Sequence, residues 1–222
     1  MCDRIYIMKD IIKILKILSQ KYNSHDKTTL NRMRKEPNAF EILISCLLSL
    51  RAKDETTEKI SKELFKIANT PEKILKLPVK KLEKIIFSTG HYRKKAKVLK
   101  SVSKEILEKF DDKVPKTREE LISIKGVGPK TANIVLAFAF GKSVIPVDTH
   151  CHRVPNRIGW VKTKTPEQTE QELMKIIQKK YWRDFNAVFV QFGREICVPI
   201  SPFCSKCPIK DYCKRIGVEK SR

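Results

Sequence analysis

The sequence predicts an all-α protein, and three observations carry that reading. Apolar residues recur at helical spacing along nearly the whole chain. Helix starts are marked by the pairs Thr70-Pro71 and Thr165-Pro166, and by capping-box spacing at Thr117/Glu120 and Thr165/Gln168. No stretch alternates polar and apolar residues as a half-buried strand does, and no hairpin turn pair is present.

In chain order, Ile11, Ile12, Ile14, Leu15 and Leu18 form the first amphipathic face. Met8 reads as its natural start, with residues 1–7 read either as an extension ahead of it or as a misassigned start. Phe40 to Leu50 is apolar and long enough for a buried helix. Ile60, Leu64, Phe65 and Ala68 give the next stripe. A short one follows at Leu82, Ile85 and Ile86, and a longer one at Val98, Leu99, Val102, Ile106 and Leu107. A helix from Thr117 to Ile124 and an apolar one from Thr131 to Phe140 come after these. About ten helices with short connections are expected.

The charge narrows the function classes. Lys and Arg number 47 against 25 Asp and Glu, a net charge of +22. Phosphates attract such a chain without regard to sequence, so nucleic acid is the expected partner. A lysine-rich thermophile surface would give the same balance. The first residues, MCDRIYIMKDIIKILKILSQKY, lack the unbroken apolar core of a signal peptide. No run approaches the roughly 20 apolar residues that span a bilayer. A cytoplasmic, nucleoid-associated protein with no membrane partner is expected.

Seven cysteines are present, four of them in one segment: Cys197, Cys204, Cys207 and Cys213, spaced C-x6-C-x2-C-x5-C. In a reducing compartment a disulfide framework is disfavoured. Four thiolates gathered by a short loop suit a tetrahedral zinc ion or an iron–sulfur cluster. Only one C-x2-C knuckle is present, and the wider outer spacings favour a cluster. Cys46, within an apolar helix, reads as inert packing. Cys2 and Cys151 have no evident role.

The stretch IKGVGPKTANIVLAFAFG, from Ile124 to Gly141, poses the sharpest question. Gly126 and Gly128 permit a tight or left-handed turn, and Pro129 opens the next helix. Free N–H groups at that helix mouth make an anion site, and DNA phosphate is the anion a basic chain would bring. Yet Lys130, a cation, sits where the helix dipole disfavours one. An amine is a nucleophile only when unprotonated, so that disfavour has a use. Asp148, in VDTH, reads by itself as a helix N-cap. Paired with Lys130, it gains a second reading as proton acceptor or as stabiliser of a cationic sugar.

This hairpin, then VDTH, then the four-cysteine segment, in that order and spacing, resembles the endonuclease III family of helix-hairpin-helix DNA glycosylases. NAFEILISCLLSLRAKD resembles the family's early buried helix, GHYRKKAKVL its later loop and helix, and FGREIC the approach to the cluster. The resemblance covers nearly the whole chain. It implies a six-helix barrel-like domain at residues 31–142 and a discontinuous [4Fe-4S] cluster domain at residues 1–30 and 143–222.

The resemblance further implies a base-excision-repair enzyme, acting as a monomer on double-stranded DNA with a damaged base or an abasic site. Lys130 would attack the sugar and Asp148 would assist, with removal of an oxidised pyrimidine and β-elimination 3′ to the lesion. Adenine- and thymine-mismatch relatives lack the lysine, and the adenine enzymes carry a glutamate where Leu47 stands. Gly126, Val127, Gly128, Lys130 and Thr131 would meet the DNA backbone. Arg51 and His91 stand where the family commonly has a glutamine and a leucine that fill the gap left by the flipped base. Further contacts are expected from Arg93, Lys94, Lys95, Arg194 and Lys206. The competing readings are a non-catalytic DNA-binding module stapled by a four-cysteine metal site, a mismatch-specific glycosylase and a cluster-based electron carrier.

Overall fold

The computed structural model describes residues 2–22 and 38–222, apart from the side chains of residues 2–9 and of Arg183. Among the described residues there are eleven α-helices and no strand. None of these helices is long and apolar enough to cross a membrane. The chain divides into two compact units, Met1–Ser24 with Ser143–Arg222, and His25–Lys142. The domain boundary expected at residue 31 lies outside the described residues.

The second unit is built around two helices that are buried on nearly every face. Helix α2, Ala39–Ser49, buries Phe40 and all of Ile42 through Leu48. Asn38 caps it, its Oδ1 accepting from the N–H groups of Phe40 and Glu41 at 3.0 and 3.2 Å. Helix α8, Pro129–Phe140, buries Thr131 through Phe138 and packs against α2. A helix apolar all round has no face to give to solvent, so the pair forms the centre.

Five helices with one-sided stripes complete the unit: α3 (Asp54–Ile67), α4 (Pro71–Lys76), α5 (Val79–Ile86), α6 (Tyr92–Phe110) and α7 (Arg118–Ser123). Their inward residues include Ile60 and Leu64, Ile74, Leu82 and Ile86, Leu99 and Val102, and Leu121. Thr70 caps α4 by accepting from Lys73 N–H at 3.3 Å, and Thr117 caps α7 by accepting from Glu120 N–H at 3.3 Å.

The first unit packs α1 (Cys2–Tyr22) with α9 (Thr149–Ile158), α10 (Pro166–Ile176) and α11 (Trp182–Glu195). Ile11, Ile14, Leu15 and Leu18 of α1 enter the core. There Phe185 and Phe189 stack at 4.0 Å, and Tyr22 lies 5.6 Å from Phe192. Helix α1 begins at Cys2, ahead of the expected start at Met8 by more than one and a half turns. Ile5, Met8 and Ile12 continue the helical spacing backwards, so nothing local ends the helix at Met8.

Candidate functional site

Helix α7 ends at Ser123, and Val127 N–H donates back to Ile124 O at 3.0 Å to close the turn. Gly126 holds φ +100°, and an added Cβ would lie 2.9 Å from Val98 Cγ1. Glycine is therefore required there twice over, by backbone and by space. Gly128 differs from the expected left-handed geometry. It is extended, with φ −92°, and faces open space. It stands at the N-cap of α8 without a capping side chain, and the first bond into the helix runs from Ala132 N–H to Gly128 O at 3.0 Å. The N–H groups of Gly128, Lys130 and Thr131 thus have no backbone acceptor among the described residues.

Lys130 is exposed at this mouth, and its side chain makes no hydrogen bond or ion pair among the described residues. Its backbone is fixed by the buried helix behind it. Its charge is felt by Cys46 on α2: burial pushes that thiol up to about 12, and Lys130 pulls the other way. Cys46 is packing, as expected. Val127 and Thr131, expected at the DNA backbone, are 5% and 6% exposed. Their side chains are taken by the core, so only backbone groups remain to them.

Asp148 caps α9. Its Oδ1 accepts from His150 N–H at 2.9 Å and Cys151 N–H at 2.8 Å, and its Oδ2 makes no hydrogen bond among the described residues. One oxygen builds the helix and the other is not used in the cap. His150, two residues on, is held below its ordinary value chiefly by burial. Asp148 opposes that shift, while Arg153 and Arg194 reinforce it. Its Nδ1 lies 3.1 Å from Arg153 Nη2, and because a guanidinium only donates, Nδ1 accepts in that contact.

Cys197, Cys204, Cys207 and Cys213 line one small cavity of about 20 Å³ together with Phe192, Ile209 and Arg157. Among the described residues no group of three or more His, Cys, Asp or Glu is placed to hold a single metal ion. Burial pushes Cys207 up to about 11, and the neighbouring Cys213, Cys197 and Cys204 add to the rise. Donors already surround the sulfurs: Arg157 Nη1 lies 3.6 Å from Cys197 Sγ, and Arg215 N–H donates to Cys213 Sγ at 3.4 Å. This donor set fits a group that spreads its ligands more widely than one ion does. Cys151 is buried elsewhere, 3.5 Å from Asn186 Nδ2, and the Cys2 side chain lies outside the described residues.

The other cations are dispersed. Arg51, His91, Arg93, Lys94, Arg194 and Lys206 are exposed. Arg51 and His91 line one cavity in the second unit, Arg93 lies over the Tyr92 ring at 5.5 Å, and Arg194 stands in the last turn of α11. Lys95 departs from the expected DNA contact. It is 8% exposed, and its Nζ donates to Leu48 O at 2.7 Å and Thr89 O at 2.8 Å. Two carbonyls left over at segment ends draw the ammonium inward, and no single stretch of sequence contains both.

Comparison with known proteins accords with this geometry. Residues 44–179 match the family described as HhH-GPD superfamily base excision DNA repair protein. An endonuclease III of Thermotoga maritima is 45% identical over 183 residues, which is 82% of this chain and 86% of that protein. A solved structure of a trapped endonuclease III–DNA covalent intermediate, an estranged-adenine complex, superposes with a TM-score of 0.83 at 34% identity, covering 94% of this chain and 96% of that one. A thermostable thymine-DNA glycosylase superposes at 0.81 with 26% identity, covering 93% and 96%. The chain belongs to the HhH-GPD superfamily of base excision DNA repair proteins, as a DNA glycosylase and abasic-site lyase of the endonuclease III type.

Proposed function

We propose that the chain removes oxidised pyrimidines from duplex DNA and cuts the strand 3′ to the resulting abasic sugar, with Lys130 as nucleophile and Asp148 as its assistant. The damaged nucleotide is first turned out of the duplex. Lys130 Nζ then forms a bond to C1′, the glycosidic bond breaks, and the base leaves with its electron pair and takes up a proton. Ring opening gives an imine between enzyme and sugar. Loss of a C2′ proton expels the 3′ phosphate, and water later releases Lys130. Asp148 Oδ2 accepts the ammonium proton or offsets positive charge on the sugar.

The observation that carries this reading is Lys130 itself, an exposed, unpaired cation fixed at the uncapped mouth of a buried helix. The free N–H groups of Gly128 and Thr131 beside it suit a DNA phosphate. Gly128 faces open space, so its lack of a side chain serves close approach by a ligand rather than internal packing. The fold is shared with a thymine-DNA glycosylase and does not choose between the two chemistries; the lysine does.

In this reading residues 31–142 are the helix-hairpin-helix domain with Lys130, which has seven α-helices among its described residues where six were expected, and residues 1–30 with 143–222 are the cluster domain with Asp148. Cys197, Cys204, Cys207 and Cys213 would hold a [4Fe-4S] cluster, which supplies a rigid cross-link when bound. The protein acts as a monomer in the cytoplasm.

Borohydride trapping on abasic duplex DNA tests the assignment. Wild type is expected to give a covalent complex and Lys130→Ala none. A complex undiminished in Lys130→Ala removes the assignment. A parallel panel of oxidised-pyrimidine, uracil and mismatched duplexes separates the mismatch reading, and iron analysis returning about four atoms per chain separates cluster from zinc.

A further inference from the structure

Beyond Cys213 the chain folds back over the four-cysteine site. Lys214 N–H donates to Ile158 O at 3.2 Å and Ile216 N–H to Arg157 O at 3.0 Å, carbonyls that the end of α9 leaves over. Gly159 makes the seat for this run. It holds φ +90°, and an added Cβ would lie 2.6 Å from Lys214 Cδ. Arg215 and Gly217 are both left-handed, with φ 55° and 69°, and Val218 N–H donates to Arg215 O at 3.1 Å. The chain therefore reverses there. Arg215 and Val218 line the cavity that the four cysteines share.

The returning run meets the loop between Cys197 and Cys204. Arg222 N–H donates to Pro202 O at 2.8 Å, and Ser205 N–H donates to Arg222 O at 3.0 Å. Arg222 Nε donates to Ser201 O at 3.0 Å, and its Cζ lies 4.1 Å from the centre of the Phe203 ring. Phe203 lines the same cavity. The walls of that cavity differ in kind. Ile158, Phe192 and Ile209 are buried in the core of this unit. Residues 214–222 are exposed apart from the partly buried Val218. A segment with so little buried apolar surface opens far more readily than the helices unfold.

We propose that residues 214–222 are a strap that closes the four-cysteine site with Arg222 as its clasp, and that opening of the strap, not unfolding of the helices, sets how fast the metal group enters and leaves. The inference rests on the cluster reading, because only a bound group can be retained. Arg222 is suited to the clasp. Its guanidinium gives a planar face to Phe203 and an edge donor to Ser201 O at once. The backbone pairs at Lys214, Ile216 and Ser205 do not depend on side-chain identity. The sequence dependence of opening therefore falls on Arg222, with Val218 as the apolar contact.

Anaerobic transfer of iron from the purified protein to an excess of a water-soluble ferrous chelator tests the proposal, with visible absorbance followed in the same samples. Arg222→Ala is expected to release iron on the order of tenfold faster than wild type. Arg222→Lys keeps a donor and loses the planar face, so its rate should fall between the two. Lys220→Ala, at an exposed position of the same run, should release iron at the wild-type rate. The melting temperature of Arg222→Ala should stay within about 4 °C of wild type, which separates strap opening from loss of the fold. No acceleration in either Arg222 variant, equal acceleration in Lys220→Ala, or a larger fall in melting temperature overturns the proposal. A wild-type protein isolated without iron removes the cluster reading instead, and the strap with it.

Discussion

Arg153 gives two of its nitrogens to one carbonyl: Nε and Nη2 lie 3.2 and 2.8 Å from the oxygen of Cys197. The same Nη2 reaches Gly193 O at 3.0 Å and His150 Nδ1 at 3.1 Å. Gly193 has no room for a side chain, since an added Cβ would lie 2.6 Å from that nitrogen. The helix capped by Asp148 and the first cysteine of the four are therefore tied through one guanidinium. Whatever fixes the cysteine segment also fixes the turn that presents Asp148 Oδ2.

Arg153→Ala removes the donor from both carbonyls. An unmet buried carbonyl costs about 1–3 kcal/mol, so a loss of about 2–4 kcal/mol is expected from denaturant unfolding. Arg153→Lys, a point donor in place of a fork, should recover part of that loss. An unchanged midpoint in the alanine variant would remove Arg153 from this role.

Gly126 and Gly128 should respond oppositely to alanine. At Gly126 the positive φ and the Val98 contact act together, and a stability loss of about 1–3 kcal/mol is expected. At Gly128 the backbone is already extended and the space open, so stability should stay within about 0.5 kcal/mol. DNA affinity should nevertheless drop severalfold, because the new methyl stands where phosphate approaches. Equal DNA affinity of Gly128→Ala and wild type would show that the open face is not the DNA face.

These two glycines also mark the limit of what the sequence discloses. The turn, its helix-opening proline and the caps at Thr70, Thr117 and Thr165 are local, set by residues two to four apart, and the sequence shows them directly. The common surround of the four cysteines is legible for the same reason, since their loop is short. Thr131 and Lys95 are not legible in this way. Thr131 is buried because α2 packs on α8, and Lys95 because two carbonyls from separate turns converge on it. In both cases tertiary packing overrides what the residue type alone suggests. The left-handed backbone of Arg51 and His91 is likewise set by the turns, being uncommon for any residue that carries a side chain.

His150 should make the protein acid-sensitive. Burial holds its folded value below the ordinary 6.5, so between the two values the unfolded chain binds more protons than the folded one. Stability is then present above about pH 6.5 and lost as pH falls below it. Protonation also takes away the nitrogen that accepts from Arg153. The melting temperature of wild type relative to His150→Gln should therefore fall between pH 7 and pH 5. A difference that stays flat over that interval would show that His150 titrates normally.

Lys95 gives a pH dependence of the same sign at the alkaline end. Burial lowers it from 10.5 to about 8, so between those values the unfolded chain holds a proton that the folded chain has released. Stability should rise with pH across that window. The neutral amine still carries two N–H donors, enough for both Leu48 O and Thr89 O, so the brace survives the loss of charge. Lys95→Met keeps the length and removes the donors. It should be less stable than wild type by about 1–3 kcal/mol at pH 7, and the gap should widen from pH 8 to pH 10. A gap that narrows on the alkaline side would mean that the two carbonyls hold Lys95 through its charge, and that the turns carrying Arg51 and His91 come apart when it is lost.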